Sequence, residues 1–284
     1  MNTSIATNSP IGFFDSGVGG LTVYSKFREK FPNVNCLYYG DTAHLPYGNK
    51  SKDELISYAR HIMDFFKSQN VKAVVIACNT SSSAAYDTIK NEYDFKIYPI
   101  IQCCAKIIGE MPIKRLGIFA TEATIKSGVY ESEIKKYNSS MEIYPQSCPN
   151  WVNIVESKGQ DDSQNIKVIY EDLCRMLVHN PEKIILGCTH YPYLKIILSM
   201  FAPYYMFIDP ADFFVDYIGK DIKLSGLQNN SEDKSYEKIF VSANPEQFKV
   251  AAEMFYKLKE IPKTFINTRT QSVYIPRNQF HNFY

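Results

Sequence analysis

Short apolar runs that stop at polar or glycine-rich turns alternate along this chain with segments whose apolar residues recur every three or four positions. The first pattern belongs to buried strands and the second to helices packed on one face. IGFFD (11–15) reads as a strand and SGVGG (16–20) as a tight turn. Leu21, Tyr24, Phe27 and Phe31 then form the stripe of a helix that stops at Pro32. NCLYYG (35–40) is a second strand, followed by the loop DTAHLPYGNK (41–50). Ser51 and Glu54 make a capping box for a helix striped by Leu55, Ala59, Ile62 and Phe66. AVVIACNT (73–80) is a third strand, ending at Cys78. Strand–loop–helix units in succession imply a parallel sheet with right-handed crossovers.

The alternation then restarts. KIYPII (96–101) is a strand and a domain edge, with a helix through Cys103–Ile108 after it. RLGIFA (115–120) is a strand, a helix starts near Thr124, MEIYP (141–145) is a strand, and Trp151–Glu156 is helical. A long helix covers about 163–179, and KIILG leads into Cys188. Another helix begins near Pro192. MFIDP (206–210) is expected as a strand returning to the first sheet, with a helix through Phe214 and Ile218 behind it. A polar break (225–235), a strand KIFVS and a helix at 245–258 complete the pattern. Residues 1–9 read as a loose leader. The reading is therefore α/β: two Rossmann-like or flavodoxin-like modules with mostly parallel sheets and a site in the cleft between them. The first module is 1–98 plus 207–264, the second is 99–206, and 265–284 form a tail.

Composition narrows the classes. With 45% hydrophobic and 21% charged residues over 284 positions, the chain builds a full core without disulfides. A net charge of +1 argues against nucleic acid or an anionic membrane as main partner. No apolar run reaches the ~18 residues of a membrane span, and MNTSIATNSP lacks the regions of a signal peptide. Seven cysteines, an odd number, fit a reducing cytoplasm. No Cys/His cluster has zinc spacing, and Cys103–Cys104 read as core residues on a helix.

Two stretches carry the candidate chemistry. Cys78 ends an apolar strand and is followed by Asn79, Thr80 and serines; KIILGCTH (183–190) repeats the plan with Cys188, Thr189 and His190. Each thiol is thus expected at a strand's carboxyl end, facing a helix amino end. Open α/β sheets bind ligands there, and the helix dipole lowers a thiol's pKa. A lone buried cysteine is more often a small core residue; the repeated context sets this pair apart. His190 suits an acid/base helper, and Asp15 and Glu156 suit steering or proton relay near thiols. The run Gly17–Gly20 does not satisfy G-x-G-x-x-G, because Thr22 stands three after Gly19. It reads instead as a turn whose N–H groups approach a small anion, with Asp15 and Ser16 at its mouth. Two such thiols either attack a substrate as nucleophiles or serve as opposed acid and base across one carbon; spacing leaves both open.

The motifs IGFFDSGVGGLTV (11–23), YYGDTAHLPYGNKS (38–51), VVIACNTSSSAA (74–85), IFATEATI (118–125), CPNWVNIVESKG (148–159) and ILGCTHYP (185–192) carry a resemblance. Over about residues 10–260 the chain resembles the glutamate racemases of the aspartate/glutamate racemase superfamily. The resemblance implies interconversion of L- and D-glutamate by two-base proton transfer at the α-carbon, without pyridoxal phosphate, another cofactor or a metal. It also implies supply of D-glutamate for peptidoglycan, and a cytoplasmic homodimer. Carried over by position, Cys78 serves the D-isomer and Cys188 the L-isomer. Asp15 assists the first thiol; Glu156 and His190 assist the second. Asp15, Ser16, Tyr47, Gly48, Asn79, Thr80, Thr189 and His190 match substrate-contacting positions, and Thr121 and Thr124 match a pocket-lining pair. Asn150 and Asn153 are polar where the family is usually more apolar. The alternatives are an aspartate or other amino-acid racemase of the superfamily, or a relative that binds without catalysis.

Overall fold

The computed structural model describes residues 8–224 and 235–265. The first half runs β1 (Ile11–Asp15), α1 (Leu21–Lys30), β2 (Cys36–Gly40), α2 (Lys52–Ser68), β3 (Ala73–Ile76), α3 (Asn79–Ala84), α4 (Tyr86–Ile89), β4 (Lys96–Pro99) and α5 (Ile100–Gly109). It continues with β5 (Arg115–Ala120), α6 (Glu122–Ser127), α7 (Val129–Lys135), β6 (Glu142–Ser147), α8 (Trp151–Glu156), α9 (Ser163–Leu177) and β7 (Lys183–Gly187). The remainder is α10 (Lys195–Leu198), β8 (Phe207–Ile208), α11 (Pro210–Leu224), β9 (Glu237–Val241), α12 (Pro245–Ala252) and β10 (Lys263–Thr264). Among the described residues no helix is long and apolar enough to cross a membrane.

The strands form two sheets, one of six strands in the order β10-β9-β2-β1-β3-β4 and one of four in the order β6-β5-β7-β8. All pairings are parallel. Strands covered on both faces are buried along their whole length and mostly apolar, as in β1, β2 and β3. The edge strand β6 stays half-exposed. The two sheets are wound alike. In each, the first strand (β1 or β5) lies between the second and the third, and the third (β3 or β7) leads to a candidate cysteine. The chain reverses direction across the sheet at β1 and at β5, which opens a crevice at their carboxyl ends.

Several expectations change. MFIDP does not return to the first sheet: Phe207 and Ile208 pair with Ile184 and Ile185 of β7. The short connection from β7 through a 3₁₀ turn (Tyr191–Leu194) and α10 returns the chain beside the strand it left. The return to the first sheet comes later, when β9 pairs with β2. KIYPII divides, with the strand ending at Pro99 and α5 starting at Ile100. An apolar run does not reveal that boundary by periodicity. The helix expected from Thr124 is two, broken at Gly128, whose φ of +66° is left-handed. The helix expected at 245–258 ends at Ala252, whose carbonyl accepts from the N–H groups of both Phe255 and Tyr256. The capping box at Ser51 forms as read, with Ser51 N–H on Glu54 and Glu54 N–H on Ser51. Most of the leader (1–7 of 1–9), most of the polar break (225–234) and the tail beyond Phe265 lie outside the described residues.

Candidate active site

Cys78 follows β3 and caps α3. Its Sγ accepts from the Ser81 N–H at 3.4 Å, and the residue is only 5% exposed. The helix was expected to lower this thiol's pKa; the site does the reverse. Burial, joined by the negative charge of Asp15, pushes it up to about 12, and the Ser81 hydrogen bonds offset only part of that. A six-residue helix has little dipole to set against full desolvation.

Cys188 follows β7 directly and is 7% exposed. Its Sγ lies 3.8 Å from His190 Nδ1, and His190 Nε2 lies 3.0 Å from Glu156 Oε1 at the end of α8. Burial pulls the imidazole's pKa down, but the hydrogen bonds and charges of Cys188 and Glu156 outweigh it and raise it to about 10. The first thiol therefore stands by a carboxylate and the second by an imidazolium.

Asp15 ends β1, fully buried. It accepts from Gly17 N–H at 3.0 Å and from the Thr189 hydroxyl at 3.3 Å. Burial raises its pKa to about 6 against the lowering effect of His190 and these bonds. The glycine turn is what brings the two sheets' loops together. A Cβ on Gly19 would lie 2.5 Å from His190 Cε1, and one on Gly20 would strike Asp15. Glycine is required here by close approach, and the turn is not a dinucleotide loop.

Across the cleft, Thr80, Thr121 and Thr124 bond to one another through their hydroxyls, with Thr80 2.9 Å from Thr121. Gly48 rests against Thr121, and the buried Tyr47 donates to the Asp41 carboxylate. These groups enclose a cavity of about 170 Å³, below the ~300–1,000 Å³ of sites for drug-sized ligands. Both cysteines line it, with Ser16, Tyr47, Gly48, Thr80, Thr121, Thr189 and His190. Asp15, Asn79, Thr124 and Glu156 are not in its wall. Asp15, Thr124 and Glu156 bond to residues that are, and Asn79 Oδ1 accepts from the Tyr130 hydroxyl at 2.7 Å. The reading of the residues missed Leu45, Pro46, Asn49, Glu122, Pro149, Val152 and Asn153, which also line the cavity. Each lies within a motif already singled out, and Pro46, Asn49 and Glu122 stand next to Tyr47, Gly48 and Thr121. Among the described residues no Lys or Arg is in the wall. Among the described residues, no group of three or more His, Cys, Asp or Glu is placed to hold a metal ion.

The family profile described as Asp/Glu/Hydantoin racemase matches residues 19–218. The chain belongs to that family. Within it, the chain is 37% identical to a glutamate racemase of Rippkaea orientalis, over 89% of this chain and 91% of the relative. The crystal structure of Francisella tularensis glutamate racemase in complex with D-glutamate superposes with a TM-score of 0.85. It is 30% identical and covers 92% of this chain and 98% of that one. The Thermus thermophilus glutamate racemase, solved with β-chloro-D-alanine, gives a TM-score of 0.81 at 32% identity, over 92% of this chain and 98% of that one. Both structures are racemases built on the same pair of α/β units, so family and fold agree with the sequence motifs.

Proposed function

We propose that this chain is a cofactor-independent glutamate racemase in which Cys78 and Cys188 exchange protons with opposite faces of the α-carbon. The observation that carries the reading is the opening of two thiols, from two equivalently wound sheets, onto one small cavity. One thiol as base and one as acid serve either direction, because the roles swap with the product. From the L-isomer, Cys188 takes the α-proton while Cys78, held as a thiol by burial, delivers one to the other face; from the D-isomer the roles reverse. His190 and Glu156 hold or pass the proton at the Cys188 sulfur, and Asp15 sets the charge beside Cys78. The carbanion-like transition state draws on preorganised dipoles in a site shielded from water. Hydroxyls of Ser16, Thr80 and Thr121, with neighbouring backbone N–H groups, are the donors available to the substrate carboxylates.

Glutamate is favoured over aspartate by the relatives above, each named a glutamate racemase. The family resemblance adds a homodimer, a cytoplasmic site and supply of D-glutamate to peptidoglycan, the dimer being checked by sedimentation. The deciding experiment incubates the protein with L-glutamate in heavy water. D-Glutamate carrying one α-deuterium is expected, with the optical signal decaying to zero. Faster turnover of L-aspartate than of L-glutamate, or no solvent deuterium at the α-carbon, overturns the reading.

A further inference from the structure

The loop Cys188–Thr189–His190 carries one thiol and its helper, yet part of its fixing comes from the other sheet's side. The Thr22 hydroxyl, in the first turn of α1, donates to the Thr189 main-chain carbonyl at 3.0 Å, and both residues are buried. That carbonyl belongs to the residue between the thiol and the imidazole. Thr22 is itself held, its N–H on the Gly19 carbonyl at 3.0 Å and its own carbonyl accepting from Ser25. Its hydroxyl also interacts with the hydroxyl of Tyr193, whose ring packs 4.3 Å from Phe255, and Phe255 meets the His190 ring edge-on at 5.9 Å.

We propose that Thr22 is a positioning residue for racemisation: its hydroxyl fixes the main chain that aims Cys188 and His190 at the cavity. The proposal rests on the two-thiol reading above. A buried carbonyl that loses its donor moves to find another. The sulfur has to meet an α-proton within a few tenths of an ångström, so a small shift of residue 189 is felt at the reacting atom.

The test compares Thr22→Val, which keeps the shape and removes the hydroxyl, with Thr22→Ser, which keeps the hydroxyl. Thr22→Val is expected to lower kcat about tenfold or more at nearly constant KM, and Thr22→Ser to stay within about twofold of the parent. The α-deuterium isotope effect separates positioning from loss of folded protein. Cys188 removes the deuteron of the L-isomer and Cys78 that of the D-isomer. Thr22→Val therefore raises the isotope effect from L-glutamate and lowers it from D-glutamate. The opposite pair of shifts supports the positioning role and reverses the assignment of faces. Unchanged turnover, or a fall with both isotope effects unchanged, or equal damage in Thr22→Ser, overturns the proposal. A readout without substrate stands beside it. Iodoacetamide alkylation, followed by mass spectrometry, changes in rate at Cys188 and not at Cys78 in Thr22→Val. If the parent fails to racemise glutamate, the two-thiol reading falls and alkylation alone decides; equal rates at Cys188 in parent and variant then reject the role of Thr22.

Discussion

At Cys78 and Cys188 the same side chain meets two different fields. Burial and Asp15 hold the first as a thiol, while the second faces an imidazole whose pKa is raised to about 10. Replacing either with serine substitutes an alcohol, a far weaker acid. Cys78→Ser and Cys188→Ser are each expected to lower racemisation by at least ~100-fold, the usual worth of one general acid/base. Polarimetry checks this, and near-normal activity in either contradicts the scheme. Asp15 gives a stability prediction with a definite sign. Its pKa rises from 3.8 unfolded to about 6 folded, so the fold prefers the neutral acid. The cost of ionising it is absent below pH ~4, grows between the two values and is complete above about 6, on the order of 3 kcal/mol. Asp15→Asn should therefore be more stable than the parent at pH 8 and about equal at pH 4, while losing turnover. A melting difference independent of pH between 4 and 8 would sink this account. His190 has the opposite dependence: its raised pKa contributes stability that is full below about 6.5 and lost as pH climbs through about 10.

Among the elements, those with local signals were legible. The stripe of α2 and its capping box, the turn at Gly17–Gly20 and the strand ends at Cys78 and Cys188 follow from side-chain period and from oxygens placed to meet free N–H groups. Ser51 is exposed and is not in the cavity wall, so Ser51→Ala, which removes the cap of α2, should cost about 1 kcal/mol of stability and leave kcat and KM unaltered. Thermal melting and the standard assay together check this; a changed KM would show that α2 couples to the site. Non-local features were not legible. MFIDP has a strand's composition wherever it pairs, and nothing within it says that β7 rather than the first sheet is its neighbour. Periodicity reads 41–50 only as a loop, and the resemblance alone puts Tyr47 and Gly48 at the substrate. It forms a wall of the cavity because Tyr47 reaches Asp41 and Gly48 meets Thr121 from the other sheet. Val152 and Asn153 join the wall because α8 is tied down by Trp151, whose indole N–H donates to Asp172 at 2.7 Å.

For the whole molecule, the cavity exists only where loops of the two sheets meet. Thr189 reaches Asp15, Thr22 reaches Thr189, and Lys26 of α1 pairs with Asp209 and Asp212 around the start of α11. A ligand in the cleft binds this closed arrangement and not the unfolded chain. D-Glutamate at about 100 times its Kd is therefore expected to add ~2.7 kcal/mol of stability, read as a rise in Tm with concentration; a flat Tm would contradict a glutamate site here. Activity should also survive a chelator and be indifferent to added pyridoxal phosphate, since dipoles carry the electrostatic load. The sequence by itself determined the α/β alternation and the strand ends that present the two thiols. Those are consequences of backbone stereochemistry and hydrogen bonding within a few residues. Only the tertiary structure decided which sheet each strand joins, which expected residues touch the cavity, and that Cys78 is pushed up instead of down. Pairing partners, desolvation and the charge of Asp15 come from groups far apart in the chain, and their balance at one atom is set only when the two sheets close on each other.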